Sequence, residues 1–93
     1  VVIHRGPAKG ARFLIDQNQS SIGRATESQI FLDDVTVSRK HAAIEIEGGV
    51  FTLIDLGSLN GTYLNNQSVA KSALKTGDEI QIGKFHMLFI TKK

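Results

Sequence analysis

The clearest signal in the chain is alternation. Ala42–Glu47 places Ile44 and Ile46 on one face and Glu45 and Glu47 on the other, the mark of a half-buried antiparallel strand. Gly48-Gly49 can supply the positive φ angles of a two-residue hairpin turn, and residues 50–56 are expected to return as the partner strand. Glu79–Ile82 alternates in the same way, and Gly83-Lys84 connects it to residues 85–91. That last run is apolar on both faces, which predicts an interior place in its sheet. Residues 1–5 and 11–16, joined by a glycine-bounded connection, predict a hairpin. The one proline, Pro7, lies in that connection, so no other segment is interrupted by one. Ser21-Ile22-Gly23, Ile30-Phe31-Leu32 and Thr62-Tyr63-Leu64 are short strands, and residues 69–75 are ambiguous between loop and strand. Many short strands, closely spaced turn signals and no clear helix indicate an all-β sandwich or barrel.

Size and charge narrow the function. Ninety-three residues make one small domain, and 41% hydrophobic residues are too many for disorder. No apolar run approaches the roughly 20 residues that span a bilayer. The absence of cysteine excludes disulfides and thiolate metal sites, and it fits a reducing, cytoplasmic setting. No signal peptide is legible, and the start at Val1 rather than methionine fits an excised piece. The net charge is only +2, from 11 basic and 9 acidic residues that are spread out. Only Arg39-Lys40 and the terminal Lys92-Lys93 are adjacent basic pairs, and the terminal pair is expected to be a solvated tail.

Three pieces carry the candidate chemistry: Gly23-Arg24, the run Val37-Ser38-Arg39-Lys40-His41, and Leu59-Asn60-Gly61-Thr62. All fall where strands end and loops begin. Together they offer cations, a hydroxyl and an amide, which is a set for holding an anion. A lone arginine at a strand end is usually a surface charge, a lone loop serine usually a cap, and Asn-Gly usually a tight turn. In company they point to a phosphate. Arg24 supplies a planar fork that can bind two phosphate oxygens, Ser38 a hydroxyl donor, and Arg39 further positive potential. The Asn60 side chain, with one acceptor and two donors, can clasp a ligand's backbone. His41 is expected to brace the loop that presents Ser38, and Lys40 to face solvent. Gly23 and Gly61 are expected to allow close approach or unusual dihedrals.

In order and spacing, Gly23-Arg24, Ser38-Arg39-Lys40-His41 and Leu59-Asn60-Gly61 resemble a forkhead-associated (FHA) domain, over nearly the whole chain. The resemblance implies a single domain over residues 1–93, built as an eleven-strand antiparallel β-sandwich. It also implies a phosphothreonine site at the loops of one end and no cofactor. Arg24, Ser38, Arg39 and Asn60 would contact the phosphopeptide, with Gly23, His41, Gly61 and Thr62 as scaffold. Leu59 departs from the pattern, since many members carry a hydroxyl residue there; one polar contact is lost and the phosphate contacts are not.

The segments around Phe31-Leu32-Asp33-Asp34-Val35-Thr36-Val37-Ser38-Arg39, Gly57-Ser58-Leu59-Asn60-Gly61-Thr62-Tyr63 and Gly77-Asp78-Glu79-Ile80-Gln81-Ile82-Gly83-Lys84-Phe85 are similar to a narrower group. These are the small actinobacterial FHA regulators of 2-oxoglutarate and glutamate metabolism, of the glycogen accumulation regulator type. Leu59 itself belongs to that pattern. That likeness implies a threonine-bearing N-terminal tail, phosphorylated by a Ser/Thr protein kinase, that folds back into the phosphate site. It implies that the unphosphorylated form binds and inhibits 2-oxoglutarate dehydrogenase through the same face, with glutamate dehydrogenase as a further partner. A generic FHA adaptor within a larger signalling protein is the alternative.

Two other classes fit less well. A hydrolase built on Ser38 and His41 lacks a Gly-x-Ser-x-Gly elbow, and a pair three residues apart at a strand start has poor mutual geometry. His4, His41 and His86 show no metal-ligand spacing, so no metal is expected. A small nucleic-acid-binding β-barrel is permitted by the pI of about 9.2. The mild charge and the few aromatics, mostly on core-facing positions, oppose it.

Overall fold

The structure, a computed structural model, describes residues 1–91; the Lys92-Lys93 pair lies outside them. Among the described residues ten strands occur in chain order: β1 Val2–Arg5, β2 Gln19–Gly23, β3 Ile30–Phe31, β4 Ala42–Glu47, β5 Val50–Asp55, β6 Thr62–Leu64, β7 Gln67–Ser68, β8 Lys71–Leu74, β9 Glu79–Ile82 and β10 Phe85–Leu88. They form two five-stranded sheets, β1-β10-β9-β6-β7 and β3-β2-β4-β5-β8, packed as a sandwich. The all-β sandwich is as expected, with ten strands rather than eleven. The missing member is the run 11–16, which makes only an isolated bridge, Arg12 to Val2, and loop bonds such as Phe13 N to Val1 O. Its expected hairpin is therefore rudimentary, and β1 takes β10 as its ladder partner. One pair, β2 with β3, is parallel rather than antiparallel.

Alternation set the register elsewhere. β4 pairs with β5 from Ala42↔Asp55 to Glu47↔Val50 around Gly48 and Gly49, both at positive φ. The ambiguous stretch 69–75 contains β8, which pairs with β5. β10 lies between β1 and β9, the interior place its two-sided apolar pattern predicted. Ile3, Ile80, Ile82, Phe85 and Met87 from one sheet meet Ile22, Ile44 and Leu53 from the other, all fully or almost fully buried. Each such side chain contributes roughly 1.5–3 kcal/mol relative to exposure. Leu32, Val37 and Phe89, from loops, close the core. Because Leu32 and Val37 are buried, the irregular stretch between them is pinned at both ends, and the chain that leads into Ser38 has a fixed origin.

Candidate functional site

The site is built on backbone welds between loops. β2 ends at Gly23, where a Cβ would lie 2.1 Å from the Arg39 carbonyl oxygen and 3.1 Å from that of Ser38. Only a residue without a side chain lets the 38–39 backbone come this close. The contact is then sealed by Arg24 N donating to Ser38 O (3.0 Å) and Ala25 N donating to Arg39 O (3.2 Å). The Arg24 guanidinium also lies along this segment, its Nε donating to Val37 O at 3.0 Å. That bond fixes the plane of the fork, and the two terminal amino groups have no protein partner among the described residues.

The third loop joins through Ser38 and His41. Leu59 N donates to Ser38 Oγ at 3.0 Å, so the hydroxyl oxygen is an acceptor within the protein and its proton remains to be donated outward. Ser38 N donates to His41 Nδ1 (3.0 Å), and His41 Nε2 lies 2.8 Å from the Gly61 carbonyl oxygen. An acceptor at Nδ1 and a carbonyl at Nε2 together require the neutral tautomer protonated at Nε2. The ring is 0% exposed and ties the Ser38 loop to the Asn60-Gly61 loop. Its two nitrogens are both held by backbone, and neither bonds the Ser38 hydroxyl, so the pair has no nucleophile–base geometry.

Asn60 is exposed, and its Nδ2 donates to Thr36 O at 2.9 Å, leaving Oδ1 and one N–H for a ligand. Gly61 has φ +86°, and its amide donates to Ser58 Oγ. Thr62 is fully buried, with Oγ1 donating to Asp55 Oδ1 at 2.6 Å. Arg24, Ser38 and Asn60 thus come to one rim, with Gly23, His41, Gly61 and Thr62 beneath it. Arg39 contributes its carbonyl to the weld, while its side chain is exposed. Lys40 is also exposed, as expected.

Two hubs were not singled out by the sequence. Asp55 accepts from Gly57 N, Ser58 N, Ser58 Oγ and Thr62 Oγ1, and so folds the 55–62 loop around one carboxylate. Burial pushes the Asp55 carboxyl up, but the bonds from Ser58, Thr62 and Gly57 outweigh it and hold it below the usual carboxylate range. Asp34 accepts from the amide and hydroxyl of Thr36, and those bonds lower its carboxyl too. Thr36 Oγ1 in turn accepts from Lys84 N, which brings the β9–β10 turn to the same end. Gly83 makes that possible, since a Cβ there would meet Thr36 Oγ1 at 2.3 Å. The available signal was an Asp two or three residues before Thr or Ser, a side-chain-to-backbone turn pattern. It is too common alone to mark a site. Among the described residues no cluster of His, Asp or Glu could hold a metal ion, and no helix is long and apolar enough to cross a membrane.

A two-sheet β-sandwich with arginine, serine and asparagine gathered at the loops of one end defines a class. Residues 20–83 match the FHA domain family, and the chain belongs to it. It is 56% identical over 91 residues to the glycogen accumulation regulator GarA of Mycolicibacterium smegmatis, covering 98% of this chain and 58% of that protein. It is 57% identical over 90 residues to the oxoglutarate dehydrogenase inhibitor of Corynebacterium efficiens, covering 97% of this chain and 63% of that protein. The chain therefore spans about three fifths of the length of these curated relatives. A solved structure from a structural and functional analysis of phosphothreonine-dependent FHA domain interactions superposes with a TM-score of 0.88. There the identity is 33%, covering 94% of this chain and 91% of that one.

Proposed function

We propose that residues 1–93 are one FHA domain that binds phosphothreonine in an extended peptide, without catalysis. The observation that carries this reading is the rim itself. The terminal amino groups of Arg24, the outward proton of Ser38 and the free amide groups of Asn60 are presented together by loops locked to one another. A phosphothreonine brings roughly −1.5 to −2 charge and three acceptor oxygens. Arg24 and Ser38 meet that group with charge-assisted bonds, Asn60 holds the ligand's main chain, and exposed Arg39 adds positive potential. Gly23, His41, Gly61 and Thr62 keep the loops in place and do not touch the ligand.

In its full-length protein the domain acts in Ser/Thr kinase signalling in the cytoplasm as a metabolic regulator. It binds and inhibits 2-oxoglutarate dehydrogenase, engages glutamate dehydrogenase, and is switched when a kinase phosphorylates a threonine-bearing segment N-terminal to the domain. The likeness to GarA and to the oxoglutarate dehydrogenase inhibitor supports this over a generic adaptor role. Calorimetry with matched phosphothreonine, phosphoserine and unphosphorylated peptides tests the binding. The phosphothreonine peptide alone should bind tightly, and Arg24→Ala should abolish binding while the circular dichroism spectrum stays unchanged. Equal binding by Arg24→Ala would place the phosphate elsewhere. Inhibition of purified 2-oxoglutarate dehydrogenase by the full-length protein, relieved on phosphorylation, tests the regulatory part.

A further inference from the structure

On the outer face of the β3-β2-β4-β5-β8 sheet, a groove of about 300 Å³ abuts the back of the phosphate site. Its lining includes Ser21, Ala25, Glu27, Lys40, Ala43 and Leu56. The groove exists because of small residues in register. Ile22 and Ile44 point into the core, so Ser21 and Ala43, paired across β2 and β4, point out. At Ala43 a methyl group stands where a larger side chain would fill the cleft, and it is only 2% exposed at the bottom. One wall is the 25–29 loop, held by Ser28 N to Ala25 O (3.0 Å), Gln29 N to Ser21 Oγ (3.1 Å) and Gln29 Nε2 to Gln17 Oε1 (2.8 Å). The opposite wall is Leu56, 47% exposed, whose amide is fixed to His41 O. The groove is thus formed before any ligand arrives.

Its occupant follows from its position and lining. Ala25 and Lys40 directly follow Arg24 and Arg39, and the welds that build the phosphate rim also build the end of the groove. The end of the groove and the phosphate rim are therefore neighbours that share these bonds. Lys40 and Glu27 on the edge offset each other in charge, so the lining selects for apolar surface rather than for a sign. We infer that this groove takes one large aliphatic or aromatic side chain of the same polypeptide that carries the phosphothreonine, a few residues beyond the direct contacts of Arg24, Ser38 and Asn60. The inference rests on the phosphothreonine reading and adds a second anchor to it.

The test is an oriented phosphothreonine peptide library extending ten residues on either side, compared with a five-residue phosphothreonine peptide. Wild type should enrich large apolar residues at one fixed distant position, and a peptide carrying that residue should bind about tenfold more tightly than its alanine version. Ala43→Leu, which fills the groove, and Leu56→Ser, which strips its wall, should each erase the enrichment and the tenfold gain. Both should bind the five-residue peptide as wild type does. Enrichment at no distant position, or the same enrichment in both variants, overturns the groove's role. Should Ala43→Leu fail to fold, Leu56→Ser decides alone, because its side chain is half exposed. Failure of wild type to bind even the five-residue peptide overturns the phosphothreonine reading, and the groove assignment with it.

Discussion

Replacing His41 by alanine separates a brace from a ligand contact. The ring is wholly buried and makes two bonds, accepting from Ser38 N and donating to Gly61 O. Alanine leaves both backbone groups without partners, at about 1–3 kcal/mol each. Water entering the vacated space recovers part of that cost, because the site is polar and large enough to admit it. The net expectation is a loss of about 3 kcal/mol, which for a domain of this size lowers the melting midpoint by about 12–24 °C. Affinity should fall as well. Without the ring, the Ser38 and Asn60 loops are ordered only when ligand binds, at about 2 kcal/mol or roughly thirtyfold in Kd. Calorimetric melting gives the first quantity, and titration with a phosphothreonine peptide well below the variant's midpoint gives the second. A midpoint within about 3 °C of wild type would refute the brace argument. An unchanged midpoint with binding lost would instead show that the ring touches the ligand.

Gly23→Ala sets a Cβ against the Arg39 carbonyl, and both neighbours it meets are backbone. It should cost about 2–4 kcal/mol in denaturant unfolding and abolish phosphopeptide binding, with amide shifts concentrated at 23–25 and 37–41. Asp55 titrates below the usual range in the folded state, so its charged form stabilises the fold fully above about pH 4 and progressively less as pH falls through the lowered value. Wild-type stability should therefore drop on acidification below about pH 4, and Asp55→Asn should start lower and vary less with pH over that range. The Ser20 hydroxyl is buried with no partner among the described residues, so Ser20→Ala should leave stability unchanged or raise the melting midpoint by several degrees, about 1 kcal/mol.

Local pattern was enough for most of the framework. Ile44 and Ile46 set against Glu45 and Glu47, with Gly48-Gly49 after them, specify the β4–β5 hairpin because side chains alternate and that turn needs positive φ. The two-sided apolar run from Phe85 placed β10 inside its sheet for the same kind of reason. Residues 11–16 failed as a strand although Phe13, Leu14 and Ile15 are apolar. Residues 11–13 do bond the free edge of β1, with Ile3 N donating to Ala11 O and Phe13 N to Val1 O, but the pairing goes no further than the single bridge Arg12 to Val2, and Leu14 ends 81% exposed.

The order of residues along the chain was enough to show which side chains could hold an anion: Arg24, then Ser38 and Arg39, then Asn60. It took the folded chain to show that they share a rim, that His41 is a neutral brace with both nitrogens occupied, and that Asp55 folds the third loop. The shared rim and the tie made by His41 depend on distances between residues 13 to 24 positions apart, as in Arg24 Nε to Val37 O, His41 Nε2 to Gly61 O, Leu59 N to Ser38 Oγ and Asn60 Nδ2 to Thr36 O. Hydrogen bonds of about 3 Å tolerate errors of only a few tenths of an ångström, and periodicity along a chain carries no information at that scale. Sheet pairing and core packing supply it, by fixing where each strand ends and therefore where each loop begins.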